Sequence, residues 1–181
     1  MPDEQIIALL RSEIHFEQGF RVLMAQYKER LYWQIRRLVQ NHEDADDVLQ
    51  NTMIKIYKGI AHFEGKSKLF TWLYRIATNE AISYLQSRNR RQAHSLDDEN
   101  SHAANRLQAD SWFDGDAVQL KLQEAIAQLP EKQRIVFNLR YYEEMPYEEM
   151  AGILDTSVGA LKASFHHAAK KVEAAFRESE S

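Results

Sequence analysis

The sequence contains no cysteine, only six glycines and only three prolines, and each shortage removes a class of protein. Without cysteine there is no disulfide framework, no thiol nucleophile and no Cys-based zinc site. So little glycine and proline leaves few breaks between elements; helix formers dominate, and an all-α protein is expected. No apolar run approaches the length that spans a bilayer, and Met1-Pro2-Asp3-Glu4 lacks the charged-then-apolar pattern of a signal sequence. A cytoplasmic protein without membrane insertion is the expectation. Also missing are a phosphate-cradling glycine loop, a Ser-His-Asp elbow and an HExxH pair. His42 and His62 are isolated, so no enzyme, no metal site and no cofactor is expected. What remains, 181 residues with 44% hydrophobic and 28% charged, suffices for one domain or two small ones with real cores. The net charge of −4 means that any nucleic-acid site has to be a local basic patch on an acidic body.

The most informative stretch is Phe63 to Arg91. It opens with the loop Glu64-Gly65-Lys66-Ser67-Lys68, where Gly65 supplies a tight turn and Ser67 a helix cap. From Leu69 the spacing is helical, with Leu69, Leu73, Ile76, Ala77 and Tyr84 on one side. The opposite side carries Lys68, Thr71, Arg75, Thr78, Asn79 and Gln86, with Ile82 among them. A buried amphipathic helix with a solvated back accounts for most of this. It leaves over Phe70 and Trp72 beside cations, then Arg88, Arg90 and Arg91 at the helix end. Aromatic planes that stack on bases, cations that follow phosphates and amides that read base edges make a single-strand nucleic-acid surface. Some of those cations would equally favour a helix C-terminus.

Before this stretch, Asp3 and Glu4 begin a short helix with Ile6, Ile7, Leu9 and Leu10. A second helix runs from about Glu17 to Val39, with Phe20, Leu23, Met24, Tyr27, Leu31, Ile35 and Leu38 on a common face. Its other side is basic and aromatic: Lys28, Arg30, Arg36 and Arg37, with Trp33. Asn41-His42-Glu43-Asp44 starts a third helix whose inward residues are Ala45, Val48, Leu49, Thr52 and Ile56. Outward lie Asp46, Asp47, Gln50, Asn51 and the apolar Ile54. This is either ordinary helix-start acidity or a docking face, since carboxylates and amides around an exposed apolar anchor suit a partner helix bearing Arg or Lys.

After Arg91 the composition changes. Gln92 to Asp116 is rich in Ser, Asn, Asp and His, has no period and reads as a flexible linker between two domains. Asp97, Asp98, Glu99, Asp110, Asp114 and Asp116 make it acidic, and Trp112-Phe113 interrupts it with two rings suited to packing on a domain or partner. The second domain begins near Ala117 with the stripe Val118, Leu122, Ala125, Ile126 and Leu129. Pro130 suits the first position of the next helix, which continues through Ile135, Val136 and Leu139 to Tyr141-Tyr142. Tyr147, Met150, Ala151 and Leu154 then mark a short helix, Asp155-Thr156-Ser157 a turn with Ser157 as N-cap, and Val158, Leu161, Phe165, Ala168, Ala169 and Val172 a longer helix. That layout is either a generic αα-hairpin or a helix-turn-helix. The exposed side of its second helix holds Ala160, Ala163, Ser164, His167 and Lys171, flanked by Lys162, His166 and Lys170. Small residues let such a helix sit deep in a groove, while Lys and Ser reach phosphates or base edges.

FEGKSKLFTWLYRIATNEAISYLQSRNRR, with Thr71-Trp72-Leu73-Tyr74-Arg75-Ile76-Ala77 followed by Asn79, resembles the promoter-melting segment of bacterial sigma factors of the sigma-70 family, in particular the extracytoplasmic-function group. Leu129-Pro130-x-x-x-Arg134 and Tyr147-x-Glu149-Met150-Ala151-x-x-Leu154 resemble the sigma domain that reads the upstream promoter element. The resemblance spans nearly all the chain. It implies an all-α protein of two small helical domains, 1–91 and 117–181, joined by the linker 92–116 and with the helix-turn-helix in the second. It also implies docking on core RNA polymerase through Asp44, Asp47, Gln50, Asn51 and Ile54. Contacts to the downstream element are implied for Glu64, Lys66, Ser67, Lys68, Thr71, Trp72, Arg75, Asn79, Arg88, Arg90 and Arg91. Those to the upstream element fall on Ser157, Ala160, Lys162, Ala163, Ser164, His166, His167, Lys170 and Lys171. Core polymerase, promoter DNA both duplex and single-stranded, and an anti-sigma protein are the implied partners; the acidic linker would pass through the polymerase, and Mg²⁺ would belong to that enzyme. One departure stands out. Members often carry Arg where Ser164 and His167 stand, so this domain should hold DNA weakly unless polymerase presents it, and His166 and His167 offer pH dependence. Three other readings fit parts of the pattern. A stand-alone helix-turn-helix regulator would need only duplex DNA, a helical adaptor none, and a decoy relative would bind an inhibitor but no promoter.

Overall fold

The computed structural model describes residues 1–94 and 116–178. They fall into two units that divide after His94. The linker acids Asp97, Asp98, Glu99, Asp110 and Asp114 and the pair Trp112-Phe113 lie outside the described residues. Among the described residues every regular element is a helix.

The first unit is built from α1 (Asp3–Leu10), α2 (Phe16–Val39), α3 (His42–Gly59), a 3₁₀ turn (Ile60–His62) and α4 (Leu69–His94). Helix α2 is its axis, packed by α1, α3 and α4, and α3 also packs on α4. Leu23, Leu31, Ile35, Val48, Ile56, Leu73, Ala77 and Leu85 form the buried core. Each large aliphatic side chain removed from water there contributes about 1.5–3 kcal/mol. Close approach of α1 depends on Gly19: a Cβ at that position would lie 2.9 Å from the Leu9 Cβ and 3.0 Å from the Leu10 amide nitrogen. The turn between α2 and α3 is short. Gln40 adopts the left-handed conformation that ends a helix, and the Asn41 side chain accepts from the Asp44 amide at 3.2 Å to begin the next.

Two expectations are corrected by this packing. Arg36, placed on the basic and aromatic side of α2 away from its apolar face, is buried, because three neighbouring helices cover more of α2 than one apolar stripe predicts. Thr78 and Ile82, assigned to the solvated back of α4, are also buried. There Gln34 Nε2 donates to Thr78 Oγ1 at 2.5 Å and to the Tyr74 carbonyl at 3.4 Å. A buried amide demands such acceptors, and losing one costs about 1–3 kcal/mol. Helix α4 itself continues through Gln92, Ala93 and His94, so the compositional shift after Arg91 precedes the helix end.

The second unit holds α5 (Ala117–Ala127), α6 (Glu131–Tyr141), α7 (Tyr147–Leu154) and α8 (Val158–Glu178). Asp116 is the cap of α5, its carboxylate accepting from the Gln119 amide at 2.9 Å. Pro130 stands at the N-cap of α6, one residue before the position expected for it. Ala125, Ile126, Leu129, Phe137, Ala168 and Val172 make the core, with Leu122, Phe165 and Phe176 against it. Val118, placed on the buried stripe by its spacing, is 62% exposed. Lys121, one turn further on, already reaches the Phe176 carbonyl near the described end of α8, which leaves the first turn of α5 uncovered.

Candidate nucleic-acid interface and docking face

The turn between α7 and α8 decides how the second unit presents α8. Asp155 takes the left-handed conformation at φ 50°, and Ser157 Oγ accepts from the Ala160 amide at 3.2 Å. This is a helix-turn-helix, with Ser157 acting as the cap of the second helix. Leu161, Ala168 and Val172 are buried, so the opposite side must face water. Ala160, Lys162, Ala163, His166, His167, Lys170 and Lys171 are exposed and Ser164 is half-buried. The imidazoles of His166 and His167 lie 6.1 Å apart. At the flank, Arg140 and Lys162 approach the Tyr147 ring at 4.8 and 5.8 Å, which adds positive charge beside the same surface.

In the first unit α3 has one face wholly inside. Ala45, Val48, Leu49, Thr52 and Ile56 are buried, as their spacing predicts. Asp47, Gln50 and Asn51 are exposed, and Ile54 keeps 52% of its surface in water. The apolar strip continues through Tyr57, which the sequence reading left out although it stands one turn beyond Ile54. Its hydroxyl donates to Glu17 at 2.8 Å and its ring meets Phe16 and Phe20 edge-on. Asp46 is 3.4 Å from His42 Nε2, and His42 Nδ1 is 2.6 Å from the Tyr32 hydroxyl.

Asp44 differs from Asp47, Gln50 and Asn51, being half-buried and hydrogen-bonded by the Tyr84 hydroxyl of α4. Burial first, then the bond and charge of Asp44, push the Tyr84 phenol up to about 12 against the pull of Arg88 and Arg91. Both leading causes favour the neutral phenol in the folded chain. Stability from this contact is therefore complete below pH 10 and is lost as pH rises toward 12. Tyr27 and Tyr57 are raised as well, so a difference measurement is needed. Tyr84→Phe should remove one tyrosinate absorbance step near pH 12 and flatten the fall in unfolding midpoint between pH 10 and 12.

Gly65 turns the loop before α4 at φ +73°, with open space where a side chain would stand, so conformation alone selects glycine. Glu64 and Lys66 pair on the surface, and Ser67 donates to the Lys68 carbonyl at 3.3 Å. Thr71, Arg75 and Asn79 recur every four residues and form one ridge, the latter two exposed and Thr71 half-buried. Trp72 is half-buried, 5.5 Å from the Phe63 ring and close over Gly59. Phe70 is no open platform, since Tyr74 lies 4.0 Å away, Tyr27 5.7 Å away and the Arg30 guanidinium 3.9 Å above it. Arg90 and Arg91 are exposed at the far end. Arg88 stands apart from them; half-buried, it donates to the Val39 carbonyl at 3.4 Å and so closes the C-terminus of α2.

Among the described residues no cluster of His, Asp or Glu is suited to a metal ion, and no helix is long and apolar enough to cross a membrane. The second unit is a helix-turn-helix, a layout common in proteins that read duplex DNA, and the first a helical unit with the polar ridge Thr71, Arg75 and Asn79 on α4. The model of sigma-70 region 2 matches residues 23–91 and that of sigma-70 region 4 matches residues 119–172. Over 183 residues the chain is 30% identical to the RNA polymerase sigma-H factor of Pseudomonas aeruginosa, covering 97% of this chain and 94% of that protein. It is 30% identical over 165 residues to the ECF RNA polymerase sigma-E factor of Haemophilus influenzae, covering 87% of each. The fold is similar to that of the sigma factor RpoE of Bartonella quintana in complex with the anti-sigma factor NepR. There the TM-score is 0.65 and identity 21%, over 88% of this chain and 98% of that one. CnrH in complex with the cytosolic domain of CnrY gives a TM-score of 0.63 at 22% identity over 99% of each chain. The chain belongs to the sigma-70 family of RNA polymerase sigma factors, in the extracytoplasmic-function group. It is therefore a transcription initiation factor that works with core RNA polymerase and promoter DNA, and the stand-alone regulator is not favoured.

Proposed function

We propose that this sigma factor divides promoter recognition among three faces. Asp47, Gln50, Asn51 and Ile54 of α3 dock on core polymerase, with Asp44 setting the first turn of that face through Tyr84. The Glu64–Lys68 loop, Thr71, Trp72, Arg75 and Asn79 capture unpaired bases of the downstream element, and Arg90 and Arg91 follow its backbone. Arg88 contributes to that charge from its place at the end of α2. The upstream element lies along α8, from the Ser157 cap and Ala160 to Lys171, with Lys162, Ala163, Ser164, His166, His167 and Lys170 at or beside the groove. Unstacking a base costs a few kcal/mol, which stacking worth about 1–3 kcal/mol per base and polymerase contacts offset.

The observation that carries this reading is the exposure of Asp47, Gln50, Asn51 and Ile54 on a helix whose other face is wholly buried. The acid and two amides would suit water as well, but grouped around the exposed apolar Ile54 they are well suited to a basic partner surface. The upstream contact is weak by itself, because Ser164 and His167 supply less phosphate attraction than the Arg that members often carry there. An anti-sigma protein of the kind bound to the solved RpoE is taken as a partner of this chain too, and the chain itself catalyses no reaction. Run-off transcription with core polymerase on a promoter library tests the whole. Discrete new start sites are expected, and a pattern identical to core polymerase alone overturns the proposal.

A further inference from the structure

The basic side of α2 has so far no task. Its Arg30 is exposed, yet its guanidinium is held 3.9 Å over the Phe70 ring, and that ring is backed by Tyr74 and Tyr27. Phe70 immediately precedes Thr71 and Trp72, so the fold brings a cation from α2 to the first turn of the ridge on α4. The carboxylate that reaches this corner, Asp3, is engaged by the Tyr27 hydroxyl at 2.5 Å. Arg30 makes no ion pair among the described residues. A guanidinium stacked on an aromatic ring keeps its edge N–H donors free for an oxyanion while its plane is held.

We infer that Arg30 is a backbone contact for the separated DNA strand, extending the downstream-element surface of α4 onto α2. The ligand class is a single-stranded polynucleotide phosphate, met next to the bases that Thr71 and Trp72 approach. The inference rests on the single-strand reading of α4. Phe70 then has a definite purpose as well: it does not stack on a base but orients the cation that holds the backbone beside one. A mere cover for Phe70 would need only the aliphatic stem of residue 30, whereas a phosphate contact needs its charge.

The test is holoenzyme binding to a labelled duplex carrying a mixed-sequence single-stranded overhang, measured across a series of salt concentrations. Arg30→Gln keeps the stem and removes the charge. It should weaken binding about three- to tenfold and lower the magnitude of the log–log salt slope by about 0.7, the value of one single-strand phosphate. Arg30→Lys keeps the charge and should retain the wild-type slope. Equal slopes for wild type and Arg30→Gln overturn the inference, whether or not affinity has fallen, since a purely structural loss leaves the ion count unchanged. Failure of the underlying reading looks different: wild-type holoenzyme then binds the overhang no better than core polymerase, and Asn79→Ala changes nothing. Thermal unfolding of both Arg30 variants confirms that they are folded.

Discussion

Asp47→Arg is expected to reduce affinity for core polymerase about a hundredfold, or roughly 3 kcal/mol, with the first unit still folded. The argument is one of position. Asp47 is exposed on α3, one turn before Gln50 and Asn51 and two before Ile54, so the new guanidinium enters the N-terminal part of the docking face. It replaces attraction by repulsion toward a basic partner helix, and mutations of that kind cost several kcal/mol at a desolvated interface. The fold has little reason to respond. The position lies beyond the first turn, where the helix dipole matters most, and surface substitutions usually stay within about 0.5 kcal/mol. Asp44→Ala is the less informative variant, because it also releases Tyr84 and so loosens α3 from α4. Core pull-down or fluorescence anisotropy with labelled chain reads the effect, and circular dichroism checks the fold. Normal holoenzyme assembly by Asp47→Arg would falsify the docking face.

Asn79→Ala should leave holoenzyme assembly unchanged and lower promoter opening about 10- to 100-fold, equivalent to roughly 1–3 kcal/mol for a lost base contact. Asn79 is exposed on the ridge with Arg75, and alanine is the better helix former, so no structural penalty accompanies the change. Trp72→Ala is expected to impair opening too, but for a mixed reason. Trp72 packs over Gly59 and against Phe63, and truncation leaves a void between α4 and the end of α3 as well as removing a ring. The single amide change therefore separates base recognition from packing. Permanganate footprinting of unpaired thymines, with the amount of bound holoenzyme matched, measures it. Wild-type opening at matched occupancy would remove Asn79 from the recognition set.

Particular residues explain which parts of the fold and of the sites were legible. The inward face of α3 follows its spacing residue for residue, because that helix is covered on one side and its period is uninterrupted. The second unit was legible only in part: Ser157 as a cap and the apolar positions on either side of Asp155 gave two helices and a turn, which an αα-hairpin shares, and the motif resemblance together with the left-handed turn at Asp155 singled out the helix-turn-helix. On α2 the same reasoning failed for Arg36, because a helix with neighbours on three sides buries polar residues that a single stripe leaves outside. On α4 it failed for Thr78, where a partner amide from α2 makes burial of a hydroxyl acceptable.

What the order of residues determined alone was local: where helices start and stop, which of their faces are apolar, where composition separates two modules, and which short motifs resemble sigma factors. Those properties depend on neighbours within one or two turns, so they survive without coordinates. Tertiary packing decided the rest, because a side chain has several possible partners until another helix arrives. It tied Asp44 to Tyr84, gave Arg88 to the end of α2, spent Phe70 on packing rather than bases, and set Arg30 of one helix above the first turn of another.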